Sequence, residues 1–321
     1  FERIYNMKRV GNLYEQICDI DNLRKAHKNA SKGKGWYKEV MEINKDPDKY
    51  LYQLQEMLRN HTYKTSDYEV FYKKEGKKNR KIYKLPYFPD RVAQWAILQV
   101  IEPYLIKHLI IDTYSAIPER GIHFGLNRVK KAMQTDIPGC QYCLKLDARH
   151  YYQSINHDIL KQKYRRLFKD PDLLWVLDEI IDSINTAEDE DLVSIYLMEE
   201  DIDEETGIPI GNYLSQYSGN YYFSDFDHWM KEVKKVKHYF RYMDDIVIFG
   251  ETKEELHNLL AEINTYFMDN MKLMVKDNWQ IFPTYVRGVD YLPAVAQFLD
   301  HQCSLTCALP VDRSGHSGGP G

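Results

Sequence analysis

The sequence predicts an α+β fold, in which helices and antiparallel strands occur without the regular alternation that builds a parallel sheet. Three observations support this prediction. Helical periodicity dominates residues 1–65, strand-like alternation marks hairpins at residues 68–85 and 237–249, and helical patterns fill much of the chain between them. A chain of 321 residues can form two or three subdomains around a sizeable core.

The N-terminal region is predicted to be helical. Within residues 47–59, apolar side chains recur at the i, i+3, i+4 and i+7 spacing of one helical face. These side chains are Tyr50, Leu51, Leu54, Met57 and Leu58.

A basic β-hairpin is predicted next, with strands at residues 68–72 and 80–85 and a turn near Gly76. Pro89 then opens a long helix, because proline is favoured in the first helical turn. A second, basic helix follows Gly121.

The following segment predicts a buried strand at residues 141–147, which ends in Asp147. Helices are predicted from Asn156 or His157 and after Gly211. The second hairpin, at residues 237–249, has apolar strands on both sides of the pair Asp244 and Asp245.

The last patterned region begins with a capping box. Thr252 and Glu255 have the spacing that starts a helix, and apolar residues continue the pattern to Ile263. Short strands are predicted around residues 271–275, 280–282 and 286–291.

Charge is segregated along the chain, although the net charge is only −5. Basic residues cluster at 73–84 and acidic residues at 188–205.

Five cysteines do not suggest a disulfide scaffold, and the pair Cys140 and Cys143 is expected to be structural. No apolar run is long enough to span a bilayer, so we expect a cytoplasmic protein without a membrane partner.

Asp147, Asp244 and Asp245 are the residues most indicative of chemistry. Adjacent carboxylates at the tip of an apolar hairpin repel each other and are costly to desolvate. A divalent cation bound between them would offset both costs, so the pair indicates a metal site. If the two strands are neighbours, Asp147 and Asp244 face one site. Carboxylates are the oxygen ligands that Mg²⁺ prefers, and two Mg²⁺ ions are the usual cofactors of phosphoryl-transfer sites, where Mn²⁺ can substitute. The alternative is an ordinary Asp-Asp turn.

Several motifs, in order, resemble those of reverse transcriptases over residues 70–292. Residues 240–249, Phe-Arg-Tyr-Met-Asp-Asp-Ile-Val-Ile-Phe, resemble the polymerase hairpin, and residues 144–157 resemble the first carboxylate motif. The resemblance implies a right-hand polymerase with fingers and palm. It implies an N-terminal helical segment at 1–66, fingers at 67–135 and a palm with the catalytic aspartates at 136–292.

One motif indicates a subtype within that family. Ile210-Gly211 and Ser215-Gln216 resemble the reverse transcriptases of diversity-generating retroelements, which are related to those of group II introns and retrons. This resemblance implies a bacterial or phage-encoded enzyme that makes errors at template adenines. It also implies template RNA, a DNA primer, dNTPs and a small basic accessory protein as partners.

The resemblance also implies residue roles. Asp147, Asp244, Asp245 and the carbonyl of Ala148 match the metal ligands, and Lys276, with Lys272 as a competing match, fits a lysine that protonates pyrophosphate. The dNTP-binding residues would be Lys74, Arg80, Ala148, Tyr152, Ile210 and Gly211. Those beside template and primer would be Ser215, Gln216, Tyr242 and Met243. Tyr152 matches a gate against the ribose 2′-hydroxyl, and Arg80 a clamp on the triphosphate, whereas Lys74 could equally be a solvated surface lysine.

The C-terminal tail, residues 293–321, breaks the family pattern after Leu292, where a basic helical thumb is expected. We expect a frameshifted or truncated segment in place of the thumb. Phe1 at the start suggests a fragment of a longer reading frame. Alternatives to a diversity-generating enzyme are a group II intron-like, retron or antiphage-defence reverse transcriptase, or a nucleic-acid-binding remnant.

Overall fold

A computed structural model describes residues 8–75, 78–186, 205–209 and 212–287. The helices are α1 Tyr14–Cys18, α2 Ile20–Ala30, α3 Lys38–Ile43, α4 Pro47–Arg59, α5 Val92–Lys107, α6 Ile122–Thr135, α7 His157–Leu167, α8 Pro171–Asp182, α9 Tyr213–Tyr222, α10 Ser224–His228, α11 Lys253–Met271 and α12 Thr284–Arg287. The strands are β1 Glu69–Glu75, β2 Lys78–Lys84, β3 Tyr142–Leu146, β4 Tyr239–Tyr242, β5 Asp245–Gly250 and β6 Gln280–Pro283.

The strands form two antiparallel sheets, as expected for an α+β fold. β1 and β2 pair as a hairpin, and the second sheet has the order β4-β5-β3-β6. β3 and β5 are therefore neighbours at the centre of the second sheet, with Leu146 opposite Ile246. This register places the residue after β3 and the first residue of β5 at the same end of the sheet.

Helices and loops cover both faces of this central sheet. Side chains alternate between the faces of a strand, and both faces are apolar here. Leu144, Ile246 and Ile248 join the large core that contains most of the helices. Cys143 and Val247 face a smaller core, which α6 covers through Val129.

Several helix starts follow directly from capping chemistry. The Asn156 side chain accepts a hydrogen bond from the Ile159 amide at 3.0 Å, so α7 begins at His157 as predicted. Thr252 caps α11 by accepting from the Glu255 amide at 3.1 Å. The predicted capping box is only half formed, because the Glu255 carboxylate accepts from the Glu251 amide instead of the Thr252 amide.

The helix α5 is buried on most sides, which explains its nearly continuous apolar sequence. It was predicted to begin at Pro89. A π-helical turn over Tyr87–Arg91 comes first, and Phe88 within it has extended backbone angles, so the α-helix proper begins at Val92.

The prediction of short strands after α11 is partly wrong. Gln280–Pro283 is a strand, as predicted, but the region 271–275 contributes only the bridge between Val275 and Ala148. Thr284–Arg287 is a short helix, where a strand was predicted to start at Val286. The Thr284 hydroxyl donates to the Cys140 carbonyl at 2.6 Å, which fixes the chain direction at this point.

Some predictions lie outside the described residues. These are the tail at 293–321 with the expected loss of the thumb, the acidic segment from 188 to 204, and Ile210 with Gly211. In the described part of the chain, no helix is both long enough and apolar enough to cross a bilayer.

Candidate active site

Asp147 follows the last residue of β3 and is held by the backbone beside it. Its carbonyl accepts a hydrogen bond from the Lys276 amide at 2.9 Å, and the Arg149 amide donates to the Met274 carbonyl at 2.8 Å. These two bonds flank Ala148, so the Ala148 carbonyl takes no part in the hydrogen bonds between the two segments. One backbone bridge thus brings together Asp147 and Lys276, which were both predicted to be site residues.

The side chain of Asp147 has one paired and one unpaired oxygen. Its Oδ2 lies 3.3 Å from the Lys276 Nζ. Its Oδ1 is buried, and in the described part of the chain the donor within its reach is the Asp244 carboxyl, which can donate only while it is protonated. A buried carboxylate oxygen without a donor is costly, and it is a suitable ligand for a cation.

Asp244 lies in the two-residue turn between β4 and β5. The pair Tyr242 and Asp245 closes this turn, and Met243 adopts a left-handed conformation with φ of 56°. The Asp244 carboxyl comes within hydrogen-bonding reach of Asp147. The structure thus brings the carboxyl groups of Asp147 and Asp244 together from two neighbouring strands.

The electrostatics of the pair favour binding of a cation. Burial, the hydrogen bond with Asp147, the charge of Asp147 and the charge of Asp245 together raise the pKa of Asp244 to about 8. Like charges this close cannot easily ionise together, and a divalent cation between them removes that repulsion. The donor set, carboxylates at the adjacent ends of two neighbouring strands, fits the hard divalent ions that sequence analysis predicted.

Arg241 holds the turn between β4 and β5 through a hydrogen bond. Sequence analysis missed this residue. Its guanidinium is fully buried and pairs with the buried carboxylate of Asp227 at 2.6 Å. Its Nη1 also donates to the Met243 carbonyl at 2.8 Å and to the Asn220 Oδ1 at 3.2 Å. A charged residue inside an apolar strand was the sequence signal that could have revealed it.

Tyr152 lies beside the same turn. Its hydroxyl is 3.6 Å from the Met243 Sδ, and its carbonyl accepts from the Ile208 amide at 2.8 Å. Burial and the nearby charge of Asp244 raise the pKa of Tyr152, so its hydroxyl stays neutral. The structure thus places Tyr152 next to Met243 and Asp244.

The predicted fingers residues lie on the hairpin. Lys74 is exposed on β1 and shares no described hydrogen bond or ion pair with the aspartates. Arg80 lies in β2, and its backbone pairs with that of Lys73 in β1. The side chain of Arg80 lies outside the described part of the structure. Their roles in binding a triphosphate stay predictions.

A cavity of about 120 Å³ separates the hairpin from the start of α9. The ring of Trp95 stacks on Tyr213 there, with 4.5 Å between ring centroids. Aromatic rings in such a groove can stack on bases. Along α9, Ser215 is buried and Gln216 is half-buried, so Gln216 is the more accessible of the two predicted template-primer residues. The cavity is lined by Phe71, Ile82, Tyr83, Lys84, Leu85, Arg91, Gln94, Trp95, Asn212 and Tyr213.

Comparison with known families decides which family this chain belongs to. The sequence profile of reverse transcriptases (RNA-dependent DNA polymerases) matches residues 72–292. The chain belongs to the reverse transcriptase family. Reverse transcriptases use divalent metal ions, so the grouping of Asp147 and Asp244 agrees with the family chemistry.

This reverse transcriptase also resembles individual proteins. Protein YkfC of Escherichia coli K12 is 24% identical over 150 residues, which cover 46% of this chain and 36% of YkfC. The telomerase of Candida albicans in complex with the TWJ fragment of telomeric RNA is 10% identical, with a TM-score of 0.50 over 70% of this chain and 44% of the telomerase. Apo telomerase from Candida tropicalis is 11% identical, with a TM-score of 0.46 over 68% of this chain and 45% of that one.

The reverse transcriptase described here spans less than half the length of these relatives. The likeness to the Candida albicans structure concerns the fold alone. It agrees with the predicted right-hand architecture of fingers and palm.

Proposed function

We propose that this chain is an RNA-directed DNA polymerase that copies template RNA into cDNA from a DNA primer. The observation that carries the proposal is the meeting of Asp147 and Asp244 from neighbouring strands of a reverse transcriptase fold. Membership of the reverse transcriptase family supports the choice of nucleotide transfer over other metal-dependent reactions.

The proposed metal ligands are the carboxylates of Asp147, Asp244 and Asp245 and the carbonyl of Ala148. Mg²⁺ is the ion expected in the cell, and Mn²⁺ can replace it. Bound there, two ions would activate the primer hydroxyl and stabilise the charge that develops on the leaving pyrophosphate. The buried Oδ1 of Asp147, which is left without a donor once Asp244 is ionised, supports this assignment.

Other residues would bind and orient the substrates. Lys276 would give a proton to the leaving pyrophosphate. Its ion pair with Asp147 supports this role. Tyr152 would contact the sugar of the incoming dNTP and exclude a 2′-hydroxyl. Lys74 and Arg80 would bind its triphosphate through charge-assisted hydrogen bonds.

A second group of residues would position the nucleic acid. Ile210 and Gly211 would lie near the incoming base and sugar, and Tyr242 and Met243 near the primer end. Ser215 and Gln216 would lie beside template and primer. Ile210 in place of an amide would discriminate less by hydrogen-bond geometry, which is consistent with error-prone copying in a diversity-generating retroelement.

The test is primer extension by the full chain on an RNA template with a DNA primer, with and without Mg²⁺. We expect Mg²⁺-dependent DNA synthesis whose sequence follows the template. Synthesis that ignores the template, or no synthesis on any primed template even with a basic accessory protein, would contradict the proposal. Sequencing the product tests the subtype separately, because errors concentrated at template adenines are expected and evenly distributed errors would exclude it.

A further inference from the structure

A second cluster of ligand-type side chains lies away from the aspartates, around His157 at the start of α7. The imidazole of His157 is 1% exposed. Its Nε2 lies 2.8 Å from the Gly207 carbonyl oxygen. A carbonyl only accepts hydrogen bonds, so the Nε2 carries the proton, and in a neutral ring the Nδ1 presents a lone pair.

In the described part of the chain, no hydrogen-bond donor faces this lone pair. The Nδ1 of His157 is buried and has no hydrogen-bond partner among the described residues. Metal-binding histidines commonly show this arrangement, in which one nitrogen donates to a backbone carbonyl and the other faces the ion. The tautomer required of a ligand is therefore already fixed by Gly207.

Two carboxylates face the same nitrogen. The Asp182 Oδ1 lies 3.5 Å and the Glu205 Oε2 lies 3.7 Å from the His157 Nδ1. All three ligand atoms lie within 4.8 Å of one another. Two ligands at Zn²⁺ distances of ~2.0–2.2 Å in tetrahedral geometry are separated by about 3.4 Å, close to the two distances from the His157 Nδ1.

Backbone hydrogen bonds hold the three ligands in place. The His157 amide donates to the Glu205 carbonyl at 3.0 Å, and the Gly207 amide donates to the Ile155 carbonyl at 2.8 Å. Asp182 is the last residue of α8. The ligands thus come from three different segments, which a bound ion would connect.

We propose that His157, Asp182 and Glu205 bind one divalent transition-metal ion, with Zn²⁺ as the matching ion and water at the fourth position. The imidazole nitrogen distinguishes this site from the aspartate site, because Mg²⁺ prefers oxygen ligands and Zn²⁺ accepts nitrogen. The role of the ion is structural. It would fasten the segment of Glu205 to α7 and α8.

The site borders the catalytic region through that segment. Two residues beyond Thr206, the Ile208 amide donates to the carbonyl of Tyr152 at 2.8 Å. An ion that binds the folded chain alone stabilises it in proportion to its occupancy. Zn²⁺ binding should therefore raise the melting temperature and order the backbone next to Tyr152.

Lys161 competes with the ion. Its ammonium forms an ion pair with the Asp182 Oδ1, the same oxygen that faces His157. A cation that enters the cluster must displace this lysine or tolerate its charge. Removal of the Lys161 charge should therefore tighten metal binding, whereas loss of a ligand should weaken it.

The test is Zn²⁺ binding to the metal-stripped full chain, measured by competition with a chromophoric chelator in excess Mg²⁺, which keeps the aspartate site filled. We expect one bound Zn²⁺ in the wild type. We expect affinity lower by about tenfold or more in Glu205→Gln and His157→Gln, and higher in Lys161→Met. Glu254→Gln, an exposed glutamate on α11, is the matched control and should bind like the wild type.

Glu205→Gln keeps the test independent of folding, because its side chain is 57% exposed. Visible absorption of Co²⁺ in place of Zn²⁺ reports the ligands, and a nitrogen- and oxygen-ligated spectrum that disappears in Glu205→Gln would support the site. Wild-type protein that binds no Zn²⁺, or Glu205→Gln that binds it as tightly as the wild type, would overturn the proposal. Either result leaves the polymerase proposal unaffected.

Discussion

The guanidinium of Arg241 donates a hydrogen bond of 2.8 Å to the main-chain carbonyl of Met243, one residue before Asp244. Arg241 is itself fixed by two hydrogen bonds to the buried carboxylate of Asp227, at 2.8 and 2.6 Å. The turn that presents Asp244 is therefore anchored to a helix through a buried ion pair. This makes Arg241 a positioning residue for the proposed metal site.

Replacement of Arg241 by lysine should reduce catalysis more than substrate binding. Lysine keeps the positive charge near Asp227. Its single ammonium group cannot replace the planar guanidinium, which donates to Asp227 and to the Met243 carbonyl at the same time. A shift of about 1 Å in a catalytic group can lower a rate about a hundredfold. Steady-state kinetics should show a lower kcat for nucleotide incorporation with a smaller change in the KM for dNTP.

Tyr239→Phe is the matched control for Arg241→Lys. The Tyr239 hydroxyl donates to the same carboxylate of Asp227 but does not contact Met243. Its loss should lower the free energy of unfolding by about 2 kcal/mol, since the acceptor is a buried carboxylate, and leave kcat nearly unchanged. Equal losses of kcat in both variants would show that Arg241 acts only through general stability.

Lys276→Met should slow nucleotide incorporation about a hundredfold, the lower range for loss of a general acid. The Lys276 Nζ lies 3.3 Å from the Asp147 Oδ2, whereas Lys272 is exposed and directly follows α11. Lys272→Met is therefore the control and should retain activity. Single-turnover rates of dNTP incorporation, measured for both variants and the wild type, should show this difference. A loss confined to Lys272→Met would reverse the assignment.

Mg²⁺ binding to the metal-free protein should strengthen as the pH rises toward about 8. The raised pKa of Asp244 means that its carboxyl holds a proton below that pH. The ion must displace this proton, so its affinity should rise up to about tenfold per pH unit and then level off. Calorimetry in buffers of different ionisation enthalpy should detect the released proton. An affinity that is flat between about pH 6 and pH 8 would contradict the shifted pKa.

Tyr152→Ala should admit ribonucleotides. Removal of the ring opens space where the sugar is proposed to bind, whereas Tyr152→Phe keeps the ring and loses only the contact with the Met243 Sδ. The ratio of kcat/KM for dNTP to that for rNTP should fall at least about tenfold in Tyr152→Ala and stay near the wild-type value in Tyr152→Phe. An unchanged ratio in both variants would place the sugar elsewhere.

Sequence reasoning succeeded where local pattern and local chemistry agree. The strand before Asp147, the hairpin around Asp244 and the caps Asn156 and Thr252 all follow from alternation or from side-chain oxygens at helix starts. The sequence predicted that Asp147 and Asp244 face one site only if their strands are neighbours, because local sequence does not determine which strands pair. In the structure β3 and β5 are neighbours.

The remaining features depend on contacts that are distant in sequence. Arg241 and Asp227 become partners only when β4 packs against α10, and no short motif contains both. The cluster of His157, Asp182 and Glu205 likewise joins three separate segments. The strand predicted from Val286 failed because a short apolar run does not by itself distinguish strand from helix.

Asp244 is proposed to help hold the metal ions that drive nucleotide transfer. The most direct measurement is the single-turnover rate of Mg²⁺-dependent dNTP incorporation on a primed RNA template, compared between Asp244→Asn and Asp158→Asn. Asp158 is an exposed aspartate in the first turn of α7. We predict a loss of about a thousandfold or more for Asp244→Asn and near wild-type rates for Asp158→Asn. An Asp244→Asn enzyme that incorporates dNTPs at the wild-type rate would contradict the account.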